Sequence, residues 1–295
     1  MKKSLLDTIL DPHQLSVRFQ PIFRIADGEN QLHSVEALIR GPRGTHFESA
    51  QVLFDYVRRK REEKAVDHSC LAAICAEAVH LPPDLRINVN VHAATLGQGR
   101  GFLETFRRRA KKHSLSLDRF TVEIVEHAPT CDIPELSHTI AELRSAGVRI
   151  ALDDVGLGHS NYRMMLDCHP EYFKLDAYFV RGFKEDFKRR AVVESLVAFG
   201  RALQSDVVAE GAESGEDIAL LADLGVGFVQ CNALCPAVTL EELLATVISR
   251  PSPPVLKSTR DKGKETRNLG IPDNGAEPPP FSPSSHRWDG QSRMH

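Results

Sequence analysis

No stretch of this 295-residue chain approaches the ~18 consecutive apolar residues of a membrane-spanning helix. The opening segment Met1–Pro12 has only a brief apolar stretch, broken by Asp7, which is too short for a secretory signal core. Neither sign of charge dominates: the net charge is -3 and the pI about 6.5, so no bulk field draws the chain to nucleic acid or to an anionic lipid surface. These absences argue against DNA and membrane as partners, and a cytoplasmic protein is expected. The six cysteines show no C-x-x-C spacing, so a reduced protein is expected in place of a disulfide scaffold. Cys231-x-x-x-Cys235 is half of a zinc pattern with no regularly spaced histidine partner, and reads as two small core residues. His92, His127 and His159 fall outside any H-x-H or H-E-x-x-H spacing and are read as ordinary polar residues around a mouth. No solenoid-type repeat is visible.

What remains is a chain with 42% hydrophobic residues, enough for one sizeable core. Arg18–Phe23 and His33–Ile39 flank Asp27-Gly28, a hairpin turn signal, so the first two strands are predicted antiparallel. After them strands and helices alternate. One helical periodicity runs from Ala50 to Val79, and further helices are expected near 102–113, from Pro134 to Gly147, and at about 185–203. Strands are expected at 85–91, 120–125, 148–153, 171–175, 206–209 and 226–230. Ser214 with Asp217, and Thr239 with Glu242, read as helix caps. Eight strands in this rhythm predict an α/β fold, a (β/α)8 TIM-like barrel with an antiparallel first strand, over residues 14–248. Residues 1–13 are a short extension, and the Pro/Ser-rich 249–295 reads as a disordered tail with too few apolar side chains to offset ordering. The basic runs Arg58–Arg61 and Arg107–Lys112 read as solvated helix faces.

The chemistry lies at the strand ends. Glu36, Asn90, Glu123 with Glu126, Asp153 with Asp154, Lys174, Glu210 and Gln230 each end or interrupt a β-prone run, and barrels of this type build their sites at those ends. Carboxylates and an amide are hard oxygen donors, suited to Mg²⁺ or Mn²⁺. Asp153 and Asp154 could serve two ions at the separation used for in-line phosphoryl displacement. Lys174 could orient a water or meet charge building on a phosphate.

These residues resemble the EAL domains, which hydrolyse the bacterial messenger cyclic di-GMP. Glu36-Ala-Leu-Ile-Arg40 carries the naming motif and Phe19-Gln20-Pro-Ile its upstream partner. The likeness continues through Val89-Asn90-Val, Glu123-Ile-Val-Glu126, Asp153-Asp154-x-Gly-x-Gly, Lys174-Leu-Asp176, Ala209-Glu210-Gly-Ala-Glu213 and Gln230, over roughly 17–248. The resemblance implies Glu36, Asn90, Glu123, Asp153 and Asp154 as ligands of two metal ions. It implies Glu210 and Lys174 as catalytic groups, Gln20, Leu38, Arg40 and Gln230 as contacts to the dinucleotide, and Glu126 as a brace for the loop after the aspartates. A homodimer is a further implication. The frame departs from the family pattern: Val155, Leu157, His159 and Asn161 replace two aromatics, a threonine and a serine in the loop. Gly41 stands where tryptophan is common, and Cys231-Asn232 replaces Gly-Tyr.

Two functions follow. In one the chain opens cyclic di-GMP to linear pGpG; in the other a catalytically weak domain binds that nucleotide or a protein partner.

Overall fold

In the computed structural model, residues 5–26, 29–97, 101–125, 132–157 and 162–248 are described. Eight strands close into a barrel in chain order: β1 Ser16–Ala26, β2 Glu29–Arg40, β3 Arg86–His92, β4 Phe120–Val125, β5 Arg149–Val155, β6 Tyr172–Leu175, β7 Asp206–Glu210 and β8 Phe228–Gln230. β1 runs antiparallel to both β2 and β8, and all other neighbours are parallel. The hairpin argument is therefore borne out, although Asp27-Gly28 itself lies outside the described residues. So do Glu126, His127, Gly158, His159, Asn161 and the segment 249–295.

The period-2 alternation of strands sets which residues face the barrel axis. Ile22, Ala151, Tyr172, Val208 and Phe228 form a buried cluster separate from the larger core between strands and helices. Each stands two residues from a polar group: Gln20, Asp153, Lys174, Glu210 and Gln230 respectively. An apolar layer therefore floors the polar mouth. The opposite faces of the strands, such as Val35, Ala37 and Ile39 of β2, bury against the helices.

Three local features go beyond the sequence reading. The periodicity from Ala50 to Val79 is two helices, Ala50–Lys60 and Glu63–Ala78. Arg61 adopts a left-handed conformation (φ 58°), and the chain closes on Arg58 and Val57 carbonyls as a glycine cap would. An arginine in that role leaves no signal in the sequence. The predicted helix after Thr239 keeps its capping box but runs only from Leu240 to Leu243 before widening into a π-helical turn. Finally, the extension packs on the barrel domain: Ile9 is fully buried, and Ser69 Oγ donates to the Leu10 carbonyl at 2.7 Å.

Gly41 has a steric explanation. A Cβ there would lie 2.1 Å from the Phe47 carbonyl oxygen and 2.6 Å from Leu53 Cδ1. The helix Ala50–Lys60 and the loop before it lie directly on the end of β2, where a tryptophan has no room.

At the other end of the barrel, His33 Nε2 lies 3.2 Å from the Tyr172 hydroxyl, its ring 4.4 Å from Phe228. Burial, reinforced by Arg86, Arg149 and Arg24, pushes its pKa from 6.5 to about 4. The unfolded chain therefore takes up this proton near pH 6.5 while the folded chain refuses it until about 4, so stability is lost as pH falls through that window. His33→Gln is expected to reduce the fall in melting temperature between those pH values; a slope equal to wild type would show that His33 does not contribute.

Candidate active site

The centre of the mouth is Lys174, in the middle of β6 and 2% exposed. Its Nζ lies 3.2 Å from Glu36 Oε2, 2.8 Å from Glu123 Oε2, 3.1 Å from Asp153 Oδ1 and 2.8 Å from Glu210 Oε1. These carboxylates come from β2, β4, β5 and β7, so one ammonium ties four strands together. A lone lysine at a strand end is usually exposed; this one is the opposite.

Side-chain amides hold the carboxylates from the outside. Asn90 Nδ2 donates to Glu36 Oε1 at 2.6 Å, Gln230 Nε2 to Glu36 Oε2 at 2.6 Å, and Asn88 Nδ2 to Glu123 Oε1 at 2.7 Å. Gln230 also donates to Gln20 Oε1, and Gln20 in turn to Asn232 Oδ1, both at 3.2 Å. Strand register explains the adjacency, since Gln20 pairs with Glu36, Asn90 with Glu123, and Glu210 with Gln230.

Burial and neighbouring charge together set the protonation equilibria. Burial, then the nearby Glu36 charge, pushes Glu123 well above the usual carboxylate range. Burial also raises Glu210, to about 7, against the pull of Lys174. For Glu36 burial acts upward too, but Lys174 and the amides of Gln230 and Asn90 outweigh it and hold the group below its ordinary value. Lys174 loses to burial and gains more from Asp153, Glu123, Glu210 and Glu36, so it stays charged. Asp154 is raised to about 6 by burial and then by Asp153 and Asp176.

Asp154 stands apart from the lysine cluster. Its backbone is left-handed (φ 51°), at an irregularity where β5 shifts register against β6. Val155 follows as a fully buried core residue paired with Leu175, so the aromatic expected there is replaced by a side chain that the barrel wall absorbs. Gly156 (φ +97°) is held to glycine by Phe179, whose ring carbon would lie 2.6 Å from a Cβ.

Two compartments open from this centre. The larger, about 650 Å³, is lined by Gln20, Leu38, Lys174, Arg181, Glu210 and Gln230 among others. The smaller, about 250 Å³, lies between β2, β3 and the helices Ala50–Lys60 and Glu63–Ala78; Arg40, Phe54, Asn90, His92 and Asp154 line it. Glu36, Leu38 and Asp153 border both. Arg40 is thus placed on the smaller side, its Nη1 donating to the Ile39 carbonyl at 3.0 Å.

The structure therefore brings together Gln20, Glu36, Leu38, Asn90, Glu123, Asp153, Lys174, Glu210 and Gln230, with Asp154 and Arg40 at the edge. Sequence reasoning missed Asn88, Asn232, Asp67 and Arg58. Asn88 was findable, because in Ile87-Asn-Val-Asn90 both asparagines fall on one strand face. Arg58, read as a solvated side chain, instead lines the smaller compartment and pairs with Asp55. His92 lines the smaller compartment but is only 7% exposed, with its Nδ1 2.8 Å from Asp67 Oδ1. Cys231 and Cys235 are buried, as read.

Among the described residues, no three His, Cys, Asp or Glu side chains surround one point as metal ligands do; the carboxylates close on Lys174 instead. The donor set nevertheless fits a hard divalent cation. Four carboxylates face the single ammonium, and among the described residues the buried Asn90 Oδ1 has no hydrogen-bond partner while its Nδ2 is engaged.

Comparison with known proteins bears on the family and the fold. The phosphodiesterase NbdA of Pseudomonas aeruginosa, named for cyclic di-GMP, is 26% identical over 264 residues, covering 86% of this chain and 33% of that protein. The chain spans a quarter to a third of the length of the curated relatives it matches. Among solved structures, the PaMucR phosphodiesterase in complex with c-di-GMP superposes with a TM-score of 0.71 at 24% identity, covering 81% of this chain and 97% of that one. The manganese/cy-diGMP complex of Klebsiella pneumoniae BlrP1 gives 0.64 at 25% identity, covering 75% and 55%. Among the described residues no helix is long and apolar enough to cross a membrane. The EAL domain profile matches residues 3–237, most of the chain, and with the barrel and its strand-end residues in place the protein belongs to the EAL domain family.

Proposed function

We propose that this domain hydrolyses cyclic di-GMP to linear pGpG with Mg²⁺ or Mn²⁺, two ions in all. The observation that carries the reading is the convergence of Glu36, Glu123, Asp153 and Glu210 on Lys174 with Asn90 alongside. Relatives of the same family carry the phosphodiesterase name, and BlrP1 is seen with manganese and the nucleotide.

Glu36, Asn90, Glu123, Asp153 and Asp154 are the residues that would hold the ions. Bound metal supplies Lewis-acid polarisation of a phosphoryl oxygen and lowers the pKa of a ligated water. The chain's own groups do the rest. Glu210, with a pKa near 7 and a partly open position on the larger compartment, is matched to accept a proton from an attacking water. Lys174 keeps its charge in a buried setting and meets negative charge that develops on the phosphate. Gln20, Gln230 and Leu38 face the larger compartment and Arg40 the smaller, so a dinucleotide spanning both would have its scissile phosphate near Asp153 and Glu36. An arginine fork is suited to the second phosphate or to a base edge.

The test is incubation of purified protein with cyclic di-GMP and Mg²⁺ or Mn²⁺, with product identified by chromatography and binding measured in Ca²⁺. Glu210→Ala is expected to lower kcat by ~10²-fold or more while leaving affinity little changed. Arg40→Ala should mainly weaken binding. Hydrolysis by Glu210→Ala at the wild-type rate would overturn its role, and binding without product by wild type would make the domain a nucleotide receptor. Lys174→Met probes the same cluster through stability: removing one partner from buried ion pairs typically costs ~3–5 kcal/mol, so a clear drop in melting temperature is expected, partly restored by Mn²⁺. An unchanged melting temperature would show that the carboxylates do not depend on the ammonium.

A further inference from the structure

Asp67 lies on the helix Glu63–Ala78, outside the barrel, and is 2% exposed. Among the described residues, every hydrogen bond of its carboxyl group goes to one short stretch of chain. Oδ2 accepts from the His92 backbone N–H at 3.0 Å and from Thr95 Oγ1 at 2.5 Å, and Oδ1 lies 2.8 Å from His92 Nδ1. His92 ends β3 and Thr95 lies in the single-turn helix Ala93–Leu96 that follows. Two residues before His92 is Asn90, whose amide donates to Glu36 Oε1 at 2.6 Å and whose buried Oδ1 has no hydrogen-bond partner among the described residues. A buried carboxyl group is costly unless its oxygens are engaged, so this arrangement favours one position of the β3 end. The neighbouring strands do not supply that constraint from the β2 side, because the β2–β3 pairing stops at Ala37 and Val89, short of Asn90. β4 pairs with β3 through His92 on the other side, and Asp67 adds its bonds at the end where β2 no longer pairs.

We propose that Asp67 is a positioning residue, clamping the end of β3 so that Asn90 presents its amide oxygen to a divalent cation while its nitrogen holds Glu36. The inference rests on the metal-dependent reading above and deepens it by naming a residue in a helix outside the barrel on which cation affinity depends. His92 is a second product of the same clamp: with Nδ1 held by Asp67, its ring forms part of the smaller compartment beside Arg40 and 5.7 Å from the Phe54 ring.

The experiment titrates wild type, Asp67→Asn, Thr95→Val and Ser69→Ala with Mn²⁺ by calorimetry, alongside melting temperature and kinetics on cyclic di-GMP at low and high Mn²⁺. Residues that orient a ligand from outside typically alter metal affinity by ~10–100-fold, and Asp67→Asn should weaken Mn²⁺ by that order. Thr95→Val, which removes one donor, should weaken it less, and Ser69→Ala, on the same helix but bonded to Leu10, not at all. Activity of Asp67→Asn should recover at high Mn²⁺. If Asp67→Asn or Thr95→Val merely melts earlier with unchanged Mn²⁺ affinity, the residue is structural and the proposal fails. If Asp67→Asn does not fold, Thr95→Val carries the same readouts. If wild type binds no Mn²⁺, the functional reading fails separately; Asp67 is then judged by the NMR signals of the Asn90 side-chain amide, assigned with Asn90→Asp. A shift in Asp67→Asn supports the clamp, and unmoved signals overturn it.

Discussion

A single buried ammonium surrounded by carboxylates from four strands is the constraint on which the rest of the mouth depends. Burying a charge is unfavourable by several kcal/mol unless its partners are close and themselves hydrogen-bonded. Here Lys174 meets that condition, with contacts of 2.8–3.2 Å to Glu36, Glu123, Asp153 and Glu210. The carboxylates need it equally, because like charges at that separation would otherwise be discharged by protons. Burial, and then the charges of Glu36 and Asp153, displace Glu123 and Glu210 upward, and four carboxylates face one ammonium. That excess of negative charge is the physical ground for proposing divalent ions, ahead of any family likeness.

The fold makes this cluster possible through two periodicities. Alternation along each strand puts Ala151, Tyr172, Val208 and Phe228 one step below Asp153, Lys174, Glu210 and Gln230, so the polar layer stands on a dry apolar one. Parallel register then sets neighbours side by side, as with Asn90 beside Glu123. Water is thereby kept away from the base of the lysine, and its electrostatic interactions are stronger than they would be at a surface.

Strand order, the antiparallel first strand and most of the residues that gather at the mouth are legible in the sequence, because period-2 runs ending in a carboxylate, amide or lysine are a strong local pattern. What was not legible depends on distant contacts or on residues acting out of character. Arg61 ends a helix in a conformation that glycine usually takes, so two helices read as one. Asp67 sits in a helix whose sequence gives no sign that its carboxyl group reaches the end of β3. His92 lacks any ligand spacing and was read as a rim residue, yet its burial follows from that same reach. Lys174 was placed at the site by motif and order, but its occupancy of the centre is a property of the barrel's interior geometry.

Departures from the family pattern take on a different meaning once packing is considered. Gly41 in place of tryptophan lets the Phe47 carbonyl and Leu53 lie against the end of β2, which brings the helix bearing Phe54 and Arg58 to form one wall of the smaller compartment. Val155 in place of an aromatic is taken into the core beside Leu175, while the left-handed Asp154 and the glycine at 156 preserve the turn. Both substitutions alter what surrounds the charged cluster without removing any of its members. In the proposed reaction their effect would therefore fall first on the fit of the substrate in the smaller compartment and on the setting of Asp154, and only through these on the chemistry at Glu210 and Lys174.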